Sequence, residues 1–459
     1  MSDEGLEQAR RKMVDAGVPA QAVEVFAHYY RLLESGESGV IAEDDIEPLV
    51  DPPRLADVSV PGDEAAAALS ATAVIKLNGG LGTSMGIDRA KSLLPVRDDK
   101  SFLDVIVQQV LSVRERTGAP LPLLFMNSFR TRDDTLAALD QHPGLAVAGL
   151  PADFLQNREP KLRADDLTPV QWEPDPSLEW CPPGHGDLYT ALQASGVLQA
   201  LLDAGYRYAS VSNADNLGAS PDPDMAGWFA ASGAPYAAEV CRRTPADRKG
   251  GHLVRRRSDG RLVLRDTAQI RPEDVPRADD IDLHPLFHTN NLWFDLLALA
   301  RILADRDGVL GLPLIRNEKT VDPADKTSPA VVQIESAMGA AVEVLEGAQA
   351  IEVERNRFLP VKTTNDLLVM RSDVYSLGDD GLLRQEAETV PYIDLDKSHF
   401  ALVPDFDHRF PAGPPSLVSA TSLAVHGDWT FGARVVISGD VVLGDEGGTV
   451  ADGQRLSGQ

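Results

Sequence analysis

The chain of 459 residues is short of cysteine, short of positive charge and free of long apolar runs, and each shortage removes a class of function. Its two cysteines, Cys181 and Cys241, give no disulfide framework and no pair at metal-ligand spacing. Against 70 acidic residues stand only 43 Lys and Arg, a net charge of −27. Contact with a nucleic-acid polymer needs a basic surface, so no such partner is expected. No stretch approaches the ~18 consecutive apolar residues of a membrane helix. The first residues, MSDEGLEQARRKM, carry acidic groups and no apolar core, unlike a signal peptide. A cytoplasmic protein without membrane contact is expected, long enough for more than one domain.

What is present divides the chain into three. In residues 1–70, Val23, Phe26, Ala27, Tyr30 and Leu33 recur at helical spacing, and Gly17 and Gly36 stand where helices stop. Two helices and a connector containing Glu47-Pro48 and Asp51-Pro52-Pro53 are expected there. From residue 71 to 385 strands alternate with helices: strands near 73–77, 122–126 and 206–211, helices near 101–117, 133–139 and 188–202. Ser101-Phe102-Leu103-Asp104 reads as a capping box. His252 to Asp266 reads as a hairpin turning at Asp259-Gly260. That order implies an α/β fold with a mixed, mainly parallel sheet flanked by helices. Residues 386–459 differ. Gly427-Asp428-Trp429-Thr430-Phe431-Gly432 recurs twelve residues on as Gly439 to Gly444, which suggests either coils of a β-solenoid or an ordinary meander.

The strongest local signal follows the first buried strand: Leu77-Asn78-Gly79-Gly80-Leu81-Gly82-Thr83-Ser84-Met85-Gly86, with Lys91 shortly after. Glycines after a strand let backbone N–H groups line an anion- or base-binding concavity, or simply form a tight turn. The pattern is neither a Walker loop nor the dinucleotide fingerprint. In so acidic a molecule, a phosphate site must be a local positive island of amides and a few lysines. Other segments join the loop. Pro182-Pro183-Gly184-His185-Gly186-Asp187 presents a histidine able to donate to phosphate or merely exposed. Asn213-Ala214-Asp215 follows a strand, where Asp either forms a turn or holds a metal ion. Asn290-Asn291 can read hydroxyls or cap a helix. Lys362-Thr363-Thr364 offers a second ammonium group, or a helix N-cap beside a surface lysine.

Taken together, the blocks LNGGLGTSMG, MNSFRT, PPGHGD, VSNADNLGA, RKGGHL, TNNLW and RFLPVKTTNDLL, in this order over roughly residues 74 to 370, closely resemble the eukaryotic-type UTP–glucose-1-phosphate uridylyltransferases, or UDP-glucose pyrophosphorylases. The resemblance implies a nucleotide-diphosphosugar transferase-like α/β domain with a short C-terminal left-handed β-helix that can mediate homo-oligomer assembly. It implies an enzyme using Mg²⁺ to form UDP-glucose and pyrophosphate from UTP and glucose 1-phosphate. Leu77, Gly79 and Gly80 would hold the uridine, and Gln156 and Gly184 would read the uracil. Lys91 and Lys362 would neutralise phosphates, His185 would contact the reacting phosphate, and Asp215 would hold the metal. Asn213, Gly251, Asn290 and Glu335 would face the sugar.

Three positions depart from the family pattern. Ala90 replaces the usual Pro before the loop lysine and leaves its approach less constrained. Lys161 replaces an Arg and removes bidentate geometry. His288 stands where an Asn often opens the Asn-Thr-Asn-Asn block, altering the sugar contacts. The rival readings are a related uridylyltransferase for galactose 1-phosphate or an N-acetylhexosamine 1-phosphate, and a non-catalytic nucleotide-sugar sensor. A sensor is expected to lose a phosphate lysine or the metal carboxylate. Lys91, Lys362 and Asp215 are all here.

Overall fold

The computed structural model describes residues 3–37, 39–244, 247 and 250–458. Its centre is a seven-stranded sheet formed by β1 (Thr72–Asn78), β2 (Leu123–Asn127), β3 (Asp153–Leu155), β4 (Tyr208–Asn213), β5 (Tyr236–Arg242), β6 (Leu286–Asp295) and β7 (Gln349–Glu352), in the spatial order β7-β5-β6-β4-β1-β2-β3. Only β6 runs antiparallel to its neighbours; the other pairings are parallel. The mixed, mainly parallel sheet expected from the strand–helix alternation is therefore the one that forms.

Central strands bury both faces, so they read as continuous apolar runs, and a period of two divides their side chains between two cores. Val74, Leu123 and Phe125 point to the face covered by the helix Phe102–Thr117 and by part of the C-terminal region. Ala73, Ile75, Leu124 and Met126 point to the other face, under the helices Asp3–Asp15 and Ala20–Glu34. Those two helices stop at Gly17 and Gly36, both in the left-handed region, as their positions in the sequence require. They share one core with the sheet, through Leu6, Phe26, Tyr30 and Leu33.

The capping box at Ser101 forms: its hydroxyl accepts the Asp104 amide at 3.2 Å, and the Asp104 carboxylate accepts the Ser101 amide at 2.9 Å. The hairpin also forms, His252–Arg256 pairing with Leu262–Arg265. The single helix expected over 188–202 does not. It is two helices, Leu188–Ala194 and Val197–Asp203, because Gly196 adopts φ +77° between them.

The C-terminal strands β8 (Tyr392–Leu395), β9 (Ser416–Val425), β10 (Val436–Leu443) and β11 (Arg455–Ser457) stack in that order, every pairing parallel. A meander would pair its neighbours antiparallel, whereas these strands pair in parallel. The twelve-residue recurrence does not set the spacing of the paired strands. Val425 pairs with Leu443, Trp429 with Gly448 and Val436 with Arg455, partners 18 or 19 positions apart. The repeated Gly-Asp occupies two different settings: Gly427 lies against Asp445, while Gly439 lies against Gly458.

Candidate active site

In a mainly parallel sheet, loops at the carboxyl ends of the strands converge on one side. There a cleft of about 300 Å³ is lined by Leu77, Gly79, Gly80, Lys91, Gln156, Gly184, His185, Asn213 and Asp215, together with Asn78, Ser92, Met126, Pro182 and Ala214. Nine of the expected site residues therefore meet in one cavity. Chain pairing explains the convergence: Asn213 ends β4 beside Leu77, and Asn78 ends β1 beside Asn127, which lies beside Leu155.

A buried polar ladder holds these strand ends together. The Asn78 amide donates to Asn127 and to Thr135, both at 2.8 Å, and Asn127 donates to Asp153 at 3.2 Å. Above it, the glycine loop closes through a bridge between Leu81 and Ala90. Ala90 is fully buried in that bridge, so here the loop lysine is constrained by strand pairing rather than by a proline ring. A Cβ on Gly79 would lie 2.6 Å from the Gln156 side-chain oxygen, whereas a Cβ on Gly80 would meet nothing within 4 Å. A side chain at position 79 would have to displace the end of Gln156; Gly80 leaves open backbone facing the cleft.

Gln156 and Gly184, the expected uracil readers, are bonded to each other. The Gln156 amide donates to the Gly184 carbonyl at 2.9 Å, and the Gln156 backbone N–H donates to Asn127 at 2.7 Å. Gly184 has φ +76°, and a Cβ there would lie 2.5 Å from the Ser336 carbonyl oxygen, so no other residue fits. Behind this loop, Asp187 accepts the Asn157 backbone and side-chain N–H groups at 2.6 and 2.8 Å. Burial nevertheless pushes the Asp187 carboxyl up to about 7.

His185 is a fixed neutral donor. Its Nδ1 accepts the Met338 backbone N–H at 3.0 Å, which leaves the ring proton on Nε2. Burial lowers its pKa and keeps the ring uncharged. Lys91 and Asp215 form an ion pair, Nζ to Oδ2 at 2.8 Å, and Lys91 also donates to the Val361 carbonyl. About a fifth of each side chain is exposed, so both remain accessible to a ligand. No group of three or more His, Cys, Asp or Glu able to hold a metal occurs among the described residues. Among the described residues, Asp215 is the one carboxylate lining this cleft. One carboxylate suits Mg²⁺, which is typically bound by one or two carboxylates together with substrate phosphates and water.

The remaining expected residues, Lys362, Asn290, Gly251 and Glu335, do not line the cleft. Lys362 is exposed, its Nζ 6.0 Å from the centre of the Phe287 ring. Its backbone N–H and that of Thr363 donate to Asp366, both at 2.8 Å, so this segment also caps the helix Thr364–Arg371. Asn290 lies in β6 and caps no helix; it holds φ +60°, with its side-chain oxygen 3.1 Å from His288 Nδ1. Gly251 precedes the hairpin, and its carbonyl accepts the His288 amide at 3.0 Å. Glu335 accepts Asn317 at 3.0 Å and packs against Gly184. Arg248 and Lys249 of the RKGGHL block lie outside the described residues.

The other two departures also have a structural account. His288 is buried against Gly339 and pushed down to about 4 by burial, then by His185, so a neutral ring supports Asn290. Lys161 turns away, donating to the Val321 carbonyl at 2.9 Å. Sequence reasoning missed what lies beneath the site. Lys76, immediately before Leu77, is fully buried, donates to Ser212 and Ala219, and is pushed down to about 7 by burial. Glu239, Arg357, Asn216 and Asn291 form a buried network whose last three members lie inside recognised motifs, masked by their more exposed neighbours.

A family model described as UTP–glucose-1-phosphate uridylyltransferase matches residues 23–438. The chain is 39% identical over 401 residues to the protein of that name from Hordeum vulgare, covering 86% of this chain and 82% of the relative. It is 38% identical over 392 residues to the one from Saccharomyces cerevisiae, covering 84% and 76% respectively. Among solved structures, a mutant UDP-glucose pyrophosphorylase from Leishmania major in complex with UDP-glucose matches with a TM-score of 0.94 at 39% identity, covering 100% of this chain and 99% of that one.

Proposed function

The chain belongs to the UTP–glucose-1-phosphate uridylyltransferase family, and on that premise we propose that it reversibly forms UDP-glucose and pyrophosphate from UTP and glucose 1-phosphate. The observation that carries the reading is the convergence of the glycine loop, Gln156, His185, Lys91 and Asp215 on one cleft.

A phosphate oxygen of glucose 1-phosphate attacks the α-phosphorus of UTP. The new P–O bond forms as the bond to the α,β-bridging oxygen breaks, and pyrophosphate leaves in line. The nucleophile is already anionic, so no general base is needed, and neutral His185 serves as an N–H donor to phosphate oxygen. The barrier is repulsion between two polyanions. Loop amides, Lys91 and Lys362 offset it in a partly dehydrated cleft, and Gly80 lets backbone approach the nucleotide. Asn213, Gly251, Asn290 and Glu335 orient the sugar. Asp215 would hold Mg²⁺, which supplies further charge neutralisation when bound.

The test is pyrophosphate release from UTP with glucose 1-phosphate, galactose 1-phosphate and an N-acetylhexosamine 1-phosphate, each with and without magnesium. Glucose 1-phosphate is expected to give the highest kcat/KM, and only with metal. Faster turnover of another sugar phosphate would reassign the substrate; UDP-glucose binding with no pyrophosphate exchange would make the chain a sensor.

The same reading extends to the three-part division at residues 70/71 and 385/386, to left-handed winding of the C-terminal coils with self-assembly through them, and to a cytoplasmic location. In support, the C-terminal strands pair in parallel, and no helix among the described residues is long and apolar enough to cross a membrane.

A further inference from the structure

Glu239 is fully buried on β5 and is not among the residues lining the cleft. Its carboxylate accepts Arg357 Nε at 2.8 Å, Arg357 Nη2 at 2.7 Å, Asn291 Nδ2 at 3.0 Å and Trp293 Nε1 at 2.9 Å. Four donors saturate a carboxylate. Burial alone would raise Glu239, but the Arg357 guanidinium outweighs it and holds the carboxyl below its ordinary value, so the group is ionised.

Two of these partners, Asn291 and Arg357, lead to different expected site residues. The pairing of β5 with β6 is irregular between Ala238 and Val240: Ala238 faces Leu292, whereas Val240 faces His288. Glu239 alone therefore opposes Thr289, Asn290 and Asn291, a bulge that carries Asn290 in the left-handed conformation. Glu239 holds both shoulders of this bulge, its backbone carbonyl accepting Thr289 Oγ1 at 2.7 Å and its carboxylate accepting Asn291. The Arg357 carbonyl accepts Asn291 Nδ2 at 3.1 Å and Asn216 Nδ2 at 3.2 Å. Asn216, next to Asp215, in turn accepts the Leu359 backbone N–H at 2.8 Å. The segment that continues to Lys362 is thereby registered against the loop that carries Asp215, and the Val361 amide closes the link on the Asp215 carbonyl at 3.1 Å.

We propose that Glu239, acting through Arg357, is the positioning residue that sets Asp215, Asn290 and Lys362 relative to one another. A buried ion pair contributes little net stability over apolar residues of equal volume; what this one supplies is a fixed geometry among three elements distant in the chain. The nucleotide side rests on a different support, the Asn78–Asn127–Asp153 ladder. The inference rests on the roles given to Asp215 and Lys362 under the proposed reaction.

The test compares full-length Glu239→Gln and Arg357→Lys with wild type. Arg357→Lys keeps the charge, loses the fork, and is expected to fold even where Glu239→Gln does not. In folded variants kcat is expected to fall about tenfold or more, and the magnesium concentration for half-maximal rate to rise severalfold, with KM for UTP within about twofold of wild type. Uniform loss of folded enzyme would not produce that split. Lys362→Ala and Asp215→Ala are measured alongside. If those two lose turnover while the Glu239 and Arg357 variants keep kcat and metal requirement, the positioning role is wrong and the reaction reading stands. A parallel rise in KM for UTP also overturns the positioning role. If Lys362→Ala and Asp215→Ala keep normal turnover, the reading of the site is wrong and the inference goes with it.

Discussion

The Lys91 ammonium and the Asp215 carboxylate, 124 positions apart in the chain, meet at 2.8 Å in the wall of the cleft. They were expected for different tasks, phosphate neutralisation and metal binding. Paired, they balance each other, so neither is a buried lone charge before ligands arrive. On the proposed reaction, binding would exchange one partner for another: phosphate oxygens for Lys91, a cation for Asp215. Lys91→Met is expected to lower kcat by about 10²-fold. Because the pair is partly exposed, the same variant should lose only about 1 kcal/mol of stability or less, read from denaturant unfolding. A fully active Lys91→Met would remove the lysine from the mechanism.

Metal removal separates catalysis from folding. With no multi-ligand metal cluster among the described residues, and Asp215 compensated by Lys91, chelation should abolish pyrophosphate release and leave the melting temperature unchanged. A large fall in melting temperature on chelation would indicate a structural ion instead.

Lys362 is exposed, and its ammonium stands 6.0 Å from the centre of the Phe287 ring, at the outer limit of a cation–π contact. Lys362→Ala should leave unfolding unchanged within about 0.5 kcal/mol while lowering kcat by about 10²-fold. Turnover near that of wild type would return Lys362 to the ordinary surface.

The glycines divide by what surrounds them. Gly184→Ala meets the Ser336 carbonyl and a positive φ, and should destabilise the fold by about 1–3 kcal/mol. Gly80→Ala has open space, so stability should hold while KM for UTP rises. If Gly80→Ala bound UTP normally, the backbone there would not be approached by the nucleotide.

Asp187 carries a pH signature. Its folded pKa of about 7 lies above the unfolded value of 3.8 because of burial, so between these values the native state holds more protons than the unfolded one. The stability this group contributes is present in acid and is lost as pH rises from about 4 through about 7, on the order of 4 kcal/mol over that window. Glu159, also buried and raised, slopes the same way. Subtracting the pH profile of Asp187→Asn from that of wild type isolates the Asp187 share. Identical slopes would mean the carboxyl titrates normally.

Features written in adjacent residues were legible from the chain alone. The buried run Ala73 to Leu77 leading into glycines, the capping box at Ser101 and the turn at Asp259-Gly260 depend on local backbone sterics and short-range hydrogen bonds, and each forms where read. Ordered motifs likewise located most of the cleft. Only the folded chain decided the pairings between distant segments. Lys91 with Asp215, Glu239 with Arg357 across 118 positions, and C-terminal strands that pair in parallel at a spacing of 18 or 19 residues rather than twelve leave no local trace. Which charges meet, and therefore which are spent on each other before substrate arrives, depends on how β-strands far apart in sequence pair side by side. That choice is made by the packing of two cores, and no short window of sequence contains it.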